Sequence, residues 1–217
     1  VLERLLPDLD VSNEALPFMG VCDANIDGIP ARIFRISFSG ELGYEIYCKP
    51  QYLLRLAEAI EEAGAGLGYR WYGARALMSM RLEKGWGVWT LDFRPDFNAC
   101  ESGMDVFINW NKDFVGKPAA LKAREEGVSR RLVTLTIDVE GIDVSNDEAI
   151  LKEGQAIGYI SSGGYAHHVQ KSMAMGYVAA DHSAPGTLLE VEILGEFYQA
   201  EVLGAPIYDP NGSRMRS

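Results

Sequence analysis

The residue best suited to chemistry is a carboxylate flanked by turn-forming residues, Glu41 in the stretch SGELG at residues 39–43. Turn formers on both sides predict that Glu41 sits at the tip of a hairpin. An ionised carboxylate only accepts hydrogen bonds, so it matches ligands that present two adjacent donors, such as a guanidinium or the edge of an amino-pyrimidinone ring. On spacing alone, a solvent-exposed turn glutamate is the commoner explanation.

Arg75 is the second candidate, because it falls in the first turn of a predicted helix. A cation there opposes the helix dipole instead of complementing it. Such a placement is typical of a ligand site or, more commonly, of a surface ion pair. Arg81 and Lys84 come later in the same helix, and we interpret them as charges at the helix end.

Other polar clusters give weaker signals. His167 and His168 are adjacent on a predicted strand, so their side chains point to opposite faces, and we expect no metal site. The SSGG run at residues 161–164 lacks the lysine and helix of a phosphate loop, and we predict a mobile turn between strands. Trp86 and Trp89 are mostly packing residues, although they could line an aromatic wall for a planar ligand.

Composition excludes several classes of function. The 217 residues are 47% hydrophobic and 24% charged, with a net charge of −11, which argues against binding to nucleic acid or to anionic lipid. No apolar stretch reaches the roughly 18 residues of a membrane helix. The cysteines are widely spaced, and we expect free thiols in a reducing compartment, by default the cytoplasm. The first residue is Val1 rather than methionine, which suggests a processed protein or part of a longer one.

Hydrophobic periodicity predicts two kinds of domain. Residues 31–38 and 44–48 alternate as a hairpin with a five-residue loop. Helical patterns follow over residues 53–63, 72–84 and 118–126. After residue 127 the pattern becomes short strands, over residues 131–139, 149–151, 156–160, 173–179, 188–194 and 197–203. We therefore predict an α+β domain over residues 1–127 and an all-β domain, a small barrel or a sandwich, over residues 128–217.

Four motifs then resemble, in order, those of the glycine-cleavage T-protein (aminomethyltransferase) family. RISFSGELGYE at residues 35–45 resembles the family's RxxYTGExGxE stretch, and GARALMSMRLEKG at residues 73–85 resembles its AR-D-x-LR-x-E-x-G helix. DFVGKPA at residues 113–119 resembles DFIGKEA. SSGGY and KSMAMGYV at residues 161–165 and 171–178 resemble the signature of the family's C-terminal barrel.

The resemblance implies a ferredoxin-like α+β folate-binding domain followed by a small antiparallel β-barrel. The LEKGW variant looks closest to the T-protein-like halves of flavin-dependent dimethylglycine and sarcosine dehydrogenases and oxidases. In these enzymes a flavin domain oxidises an N-methyl amine to an imine, and tetrahydrofolate captures the one-carbon unit as methylene-tetrahydrofolate. Tetrahydrofolate, the imine and an upstream FAD domain or N-terminal half are thus the implied cofactors and partners.

By the same resemblance, Glu41 would accept both donors of the pterin edge. Arg75 would orient that carboxylate or bind a folate oxygen or tail carboxylate, and Tyr44 and Trp89 are weaker pocket candidates. Apart from the resemblance, clustering in the sequence alone adds Arg32, Arg35 and Arg70 to Arg75 as candidates for holding the anionic tail of a folate. The family aspartate that contacts the reactive folate nitrogens has no counterpart, so we expect the catalytic group outside this chain.

Two alternatives stay open on the sequence alone. The chain could belong to a non-catalytic folate-binding protein of the same fold, with a regulatory or assembly role. It could also belong to a demethylase that passes a methyl group to tetrahydrofolate.

Overall fold

A computed structural model describes all 217 residues, which pack as two compact units. The first unit comprises Val1–Met78 and Asp209–Ser217, and the second comprises Ser79–Tyr208. The point of division falls within one helix, α3 (Ala74–Glu83). The boundary predicted from composition, at residue 127, lies later in the chain, just before the first strand of the second unit.

The first unit is a three-stranded antiparallel sheet covered on one face. Strands β1 (Val21–Ile26), β2 (Ile29–Phe34) and β3 (Glu45–Cys48) pair in that order. Helix α2 (Leu53–Gly64) and the short helix α1 (Leu2–Leu5) contribute to the core with the alternate residues of β2, which are Ile29, Ala31 and Ile33. The period of three and four over residues 53–63 therefore predicts α2 correctly.

The predicted strand over residues 31–38 is partly wrong. The strand ends at Phe34, and its buried face is the one that carries Ala31 and Ile33, not the one that carries Phe34 and Ile36. The chain leaves the sheet at Arg35, which is buried and hydrogen-bonded elsewhere. The link to β3 is consequently the longer loop of residues 35–44 instead of a five-residue hairpin loop.

The second unit is a closed antiparallel barrel preceded by helix α4 (Lys117–Glu126). Its strands are β4 (Arg130–Ile137), β5 (Ala149–Lys152), β6 (Gln155–Ala166), β7 (Lys171–Ala179), β8 (Leu188–Ile193) and β9 (Glu196–Val202). They pair around the barrel in the order β4-β7-β6-β5-β8-β9. An α+β region followed by an all-β barrel, as the sequence predicts, is confirmed. None of the helices is long and apolar enough to cross a membrane.

The barrel interior is filled by alternate residues of each strand, mainly valine, leucine and isoleucine. Leu135, Ile150, Ile160, Val178 and Val191 are all fully buried there. The turn between β5 and β6 places Glu153 and Gly154 at positive φ, 52° and 75°. This conformation is typical of the tight turns that join two antiparallel strands.

Gly158→Ala is expected to destabilise the barrel by about 1–3 kcal/mol, because it overfills a packed core. A Cβ at Gly158 would lie 2.0 Å from the carbonyl oxygen of Tyr177 on the neighbouring strand, so backbone has to move. Urea unfolding measures the change. Gly73→Ala is the matched control, since nothing lies within 4 Å of its Cβ position, and equal stability of the two variants would contradict the close packing.

Candidate functional site

Glu41 lies on the loop of residues 35–44 in the first unit. Gly40 adopts a φ of 85°, and Ser37 Oγ accepts a hydrogen bond from the Gly40 N–H at 3.1 Å. A Cβ at Gly43 would lie 2.8 Å from the Ile36 carbonyl oxygen, so the two ends of the loop approach each other closely. The sequence thus folds this loop back on itself and presents Glu41 from a compact turn.

An arginine that the motifs do not contain lies next to the Glu41 carboxylate. Arg214 Nη1 is 3.7 Å from Glu41 Oε2, and the two side chains are 61% and 43% exposed. An ion pair so long and so exposed contributes little to stability, so a ligand could replace it at small cost. Arg214 could not be predicted as a neighbour of Glu41, because it lies far along the chain from the motif that carries Glu41.

Arg35 anchors the beginning of this loop. Its side chain is 1% exposed, and its guanidinium donates to the Leu16 carbonyl at 2.9 Å and the Ser217 carbonyl at 2.7 Å. The Arg35 N–H donates to the Gly20 carbonyl at 3.0 Å. Arg35 is therefore a structural residue, and the expectation that it could bind an anionic ligand tail is wrong.

The other predicted residues of the first unit have different settings. Arg75 is exposed in the first turn of α3 and makes no ion pair within the protein. Tyr44 is half-buried against the core beneath the sheet. Arg32 is occupied by an ion pair with Asp23, at 2.7 Å. Arg70 is exposed and donates to the Tyr69 carbonyl at 2.8 Å, so Arg70 and Arg75 are the two exposed predicted arginines that pair with no carboxylate. Arg214 takes the position beside Glu41 that was suggested for Arg75.

Trp89 belongs to the second unit, where its ring is 75% exposed. It meets Phe93 edge to face, with 5.7 Å between ring centroids. Both rings line a cavity of about 490 Å³ together with Phe97, Met104 and Ser102. The cavity is aromatic on its walls, which suits a flat apolar ring. An aromatic wall at Trp89, suggested by the sequence, is thus present in this unit.

The buried carboxylate of Asp92, which could not be predicted from the sequence, holds the segment that carries Trp89 in place. Asp92 is fully buried, and its Oδ2 lies 3.2 Å from Arg81 Nη1 and accepts the Val88 N–H at 2.8 Å. Its Oδ1 accepts hydrogen bonds from the hydroxyls of Ser161 and Ser162. Each oxygen of Asp92 therefore has two donors, and residues 88–92 are tied to strand β6.

Two predictions are corrected by this network. Residues 161–164 are not a mobile turn but the interior of β6, because the Ser161 and Ser162 hydroxyls bind Asp92 and both residues are buried. Arg81 and Lys84 do lie at the C-terminal end of α3, as predicted, but both are buried. Arg81 is buried against Asp92, and Lys84, which is 3% exposed, donates to the Tyr208 carbonyl at 3.1 Å.

Burial also shifts two titratable groups around Asp92. Desolvation raises the pKa of the Tyr177 phenol, whose hydroxyl donates to the Asp92 carbonyl at 2.8 Å. Desolvation lowers the pKa of Arg81, and the Asp92 charge opposes that shift. Tyr177 therefore stays neutral near neutral pH, since the ordinary pKa of a tyrosine is already about 10.

The two adjacent histidines, His167 and His168, are held in place by hydrogen bonds from their backbone N–H groups within the second unit. The His168 N–H donates to the buried Glu83 carboxylate at 2.7 Å, and the His167 N–H bonds Ser79 Oγ at 3.1 Å. Their rings pack edge to face on Tyr208 and Tyr165 respectively. No group of three or more His, Cys, Asp or Glu side chains is placed to hold a metal ion.

Comparison with known proteins gives matches along most of the chain. The family model described as the GCVT N-terminal domain matches residues 1–112, and the glycine cleavage T-protein C-terminal barrel domain matches residues 130–209. A crystal structure of glycine cleavage system aminomethyltransferase T from Bartonella henselae superposes with a TM-score of 0.79 and 26% sequence identity. That superposition covers 92% of this chain and 54% of the other.

Curated relatives extend the comparison to longer proteins. Mitochondrial dimethylglycine dehydrogenase of Mus musculus is 37% identical over 218 residues, which span the whole chain but 25% of that protein. Mouse mitochondrial sarcosine dehydrogenase is 33% identical, over 24% of its length. An aminomethyltransferase of Natranaerobius thermophilus is 31% identical, over 86% of this chain and 51% of its own. The chain spans about a quarter of these dehydrogenases and about half of this aminomethyltransferase, and it belongs to the glycine cleavage T-protein family.

Proposed function

We propose that this chain is part of a tetrahydrofolate-dependent aminomethyltransferase module. The module would capture a one-carbon unit from an oxidised N-methyl amine as methylene-tetrahydrofolate. Family membership supports the transferase character, and the similarity to dimethylglycine and sarcosine dehydrogenases supports an N-methyl amine as the source of the carbon. The observation that carries the proposal is the half-exposed carboxylate of Glu41, presented from a tightly folded loop beside the Arg214 guanidinium.

The chemistry of the residues fits a folate. A carboxylate such as Glu41 can accept both N–H donors of an amino-pyrimidinone edge, and these bonds are charge-assisted. Arg75, with no carboxylate partner, would bind a folate oxygen or a tail carboxylate. The partly buried ring of Tyr44 would pack against the ligand. Trp89, in the second unit, stays a separate candidate, because its exposed side chain offers an apolar face on which a flat ring could stack.

The residues of this chain would bind and orient the folate, and they would not carry out the chemical step themselves. Tetrahydrofolate, when bound, supplies the two nitrogens that take up the carbon. The imine would be produced by an FAD domain, and a catalytic aspartate would come from the half of the module that this chain does not match. We accordingly expect the chain to form one wall of the folate pocket and to be incomplete as a catalyst. A reducing, cytoplasmic location is part of the proposal, although the dehydrogenase relatives are named as mitochondrial.

Calorimetric titration of the 217-residue chain with tetrahydrofolate under anaerobic conditions tests the binding role. We expect saturable binding of tetrahydrofolate, and much weaker binding of p-aminobenzoylglutamate, which has the tail but no pterin edge. Absence of saturable binding by both this chain and a longer protein that contains it would reject the folate role. Catalytic formation of methylene-tetrahydrofolate by the isolated chain would instead reject its incompleteness.

A further inference from the structure

A cavity of about 380 Å³ lies in the first unit at the point where helix α2 ends. It is lined by Glu61 and Gly64 in the last turn of α2 and by residues of the following segment, 65–71. Gly66 and Gly68 adopt φ values of 76° and 73°, a conformation that glycine reaches without a steric cost. These turns bring the segment back against the helix that it has just left.

Two aromatic rings form adjoining walls of this cavity. The rings of Tyr69 and Trp71 are inclined at 76°, with 5.4 Å between their centroids. Tyr69 packs directly on the last residue of α2, because a Cβ at Gly64 would lie 2.6 Å from the Tyr69 Cβ. Trp71 is nevertheless 63% exposed. The two rings therefore form an open corner with aromatic surface accessible to a ligand.

The carboxylate of Glu61 stands beside both rings. One of its oxygens accepts the indole N–H of Trp71, which fixes the orientation of that ring. Desolvation raises the pKa of the Tyr69 phenol, and the negative charge of Glu61 raises it further, so the carboxylate is close to Tyr69 as well. Glu61 is exposed and forms no ion pair within the protein. Its charge is therefore available to a ligand.

Two aromatic faces beside a carboxylate suit a cation whose surface is apolar. The face of an aromatic ring attracts cations, most strongly in tryptophan, and methylated ammonium groups are bound by such aromatic corners. An anion would be repelled by Glu61.

Two arginines oppose the binding of any cation here. Arg70 also lines the cavity and donates to the Tyr69 carbonyl at 2.8 Å. The exposed Arg4 donates to the carbonyls of Ala63 and Ala65 at the end of α2, both at 3.0 Å. Net charge alone would therefore not hold a simple ammonium ion, and the affinity has to come from contact with the rings.

We propose that the corner formed by Glu61, Tyr69 and Trp71 binds a methylated ammonium group of a small molecule. Its N-methyl groups would lie against the two rings, and the Glu61 carboxylate would balance its charge. The inference is independent of the proposed folate role, because none of these three residues is assigned to the folate.

Titration of the ¹⁵N-labelled chain, followed at the indole N–H resonance of Trp71, tests this site. Choline and 3,3-dimethylbutan-1-ol have the same shape and differ in charge, and ammonium chloride supplies a cation without methyl groups. We expect a saturable shift with choline, an affinity about tenfold weaker for the neutral alcohol, and no saturable shift with ammonium chloride. Equal affinities for choline and either of the other probes, or no saturable shift with choline, would overturn the proposal.

Two variants separate the contributions of the ring and the charge, with binding followed at the amides of residues 64–69. Trp71→Leu keeps an apolar side chain but removes the aromatic face, and should weaken choline about threefold to tenfold. Glu61→Gln keeps an acceptor for the indole N–H and should weaken choline about twofold to fivefold, the effect of one exposed charge. Glu125→Gln, on helix α4 of the second unit, is the matched charge control and should bind like the wild type. Wild-type affinity in both Trp71→Leu and Glu61→Gln would refute the site.

Discussion

Asp92→Ala is expected to lower the free energy of unfolding of the second unit by about 3–5 kcal/mol, the typical effect of removing one partner of a buried ion pair. The variant leaves the Arg81 guanidinium, which is 1% exposed, without a compensating charge. It also leaves the Ser162 hydroxyl and the Val88 N–H without their acceptor, whereas the Ser161 hydroxyl keeps the Met175 carbonyl at 3.1 Å. Each buried donor that loses its partner adds a desolvation cost.

Urea unfolding followed by circular dichroism and tryptophan fluorescence measures this effect, because a change of midpoint at constant slope reports stability. Asp23→Ala is the matched control. Asp23 forms a two-point ion pair with Arg32, but both side chains are more than half exposed, so the change should stay below about 1 kcal/mol. A loss for Asp92→Ala no larger than that for Asp23→Ala would show that the buried network is not what holds residues 88–92 to β6.

Elements whose signals are local could be predicted from the sequence. Helix α2 follows from apolar residues at intervals of three and four, and the Glu153-Gly154 turn from a glycine, which adopts positive φ without strain. The barrel strands follow from alternation, because one face of each strand packs into a single closed core. In each case the residues that decide the structure are close neighbours in the chain.

Features that depend on distant partners could not be predicted. Ser161 and Ser162 appear to form a turn when only their neighbours are considered, but their hydroxyls bind a carboxylate 69 and 70 residues earlier. Arg35 has the alternation of a strand residue, yet it leaves the sheet to bond carbonyls 19 and 182 residues away. Buried polar pairs leave no periodic pattern in the sequence, because each is positioned by one tertiary contact and not by the buried face of a helix or strand.

In the candidate site, too, the local feature could be predicted and the feature that depends on a distant residue could not. The glycines around Glu41 correctly place it on a turn, since the turn conformation is encoded within the loop. Which cation accompanies the carboxylate is not encoded there, and that cation is Arg214 instead of Arg75. A resemblance of motifs can identify the hydrogen-bond acceptor, Glu41. The residues that surround this acceptor can be identified only from the folded structure.

Glu41→Gln should weaken tetrahydrofolate binding by about 10-fold to 100-fold, the range expected when a charge-assisted hydrogen-bond pair is lost. The amide keeps the size of the side chain but offers one acceptor instead of two, and its NH₂ group would face the N–H donors of the ligand. Stability should change by less than about 1 kcal/mol, because the ion pair with Arg214 is long and solvent-exposed. Loss of binding therefore cannot be attributed to unfolding.

Glu45→Gln provides the control, since Glu45 is an exposed carboxylate four positions later whose partner is the Tyr47 hydroxyl at 2.7 Å. It changes net charge by the same amount and should bind tetrahydrofolate like the wild type. Binding of p-aminobenzoylglutamate should be the same in both variants, because it lacks the edge that Glu41 would recognise. If Glu41→Gln and Glu45→Gln bound tetrahydrofolate equally well, recognition of the pterin edge would have to be assigned to another acceptor. A selective loss in Glu41→Gln would place the pterin edge at the loop of residues 35–44.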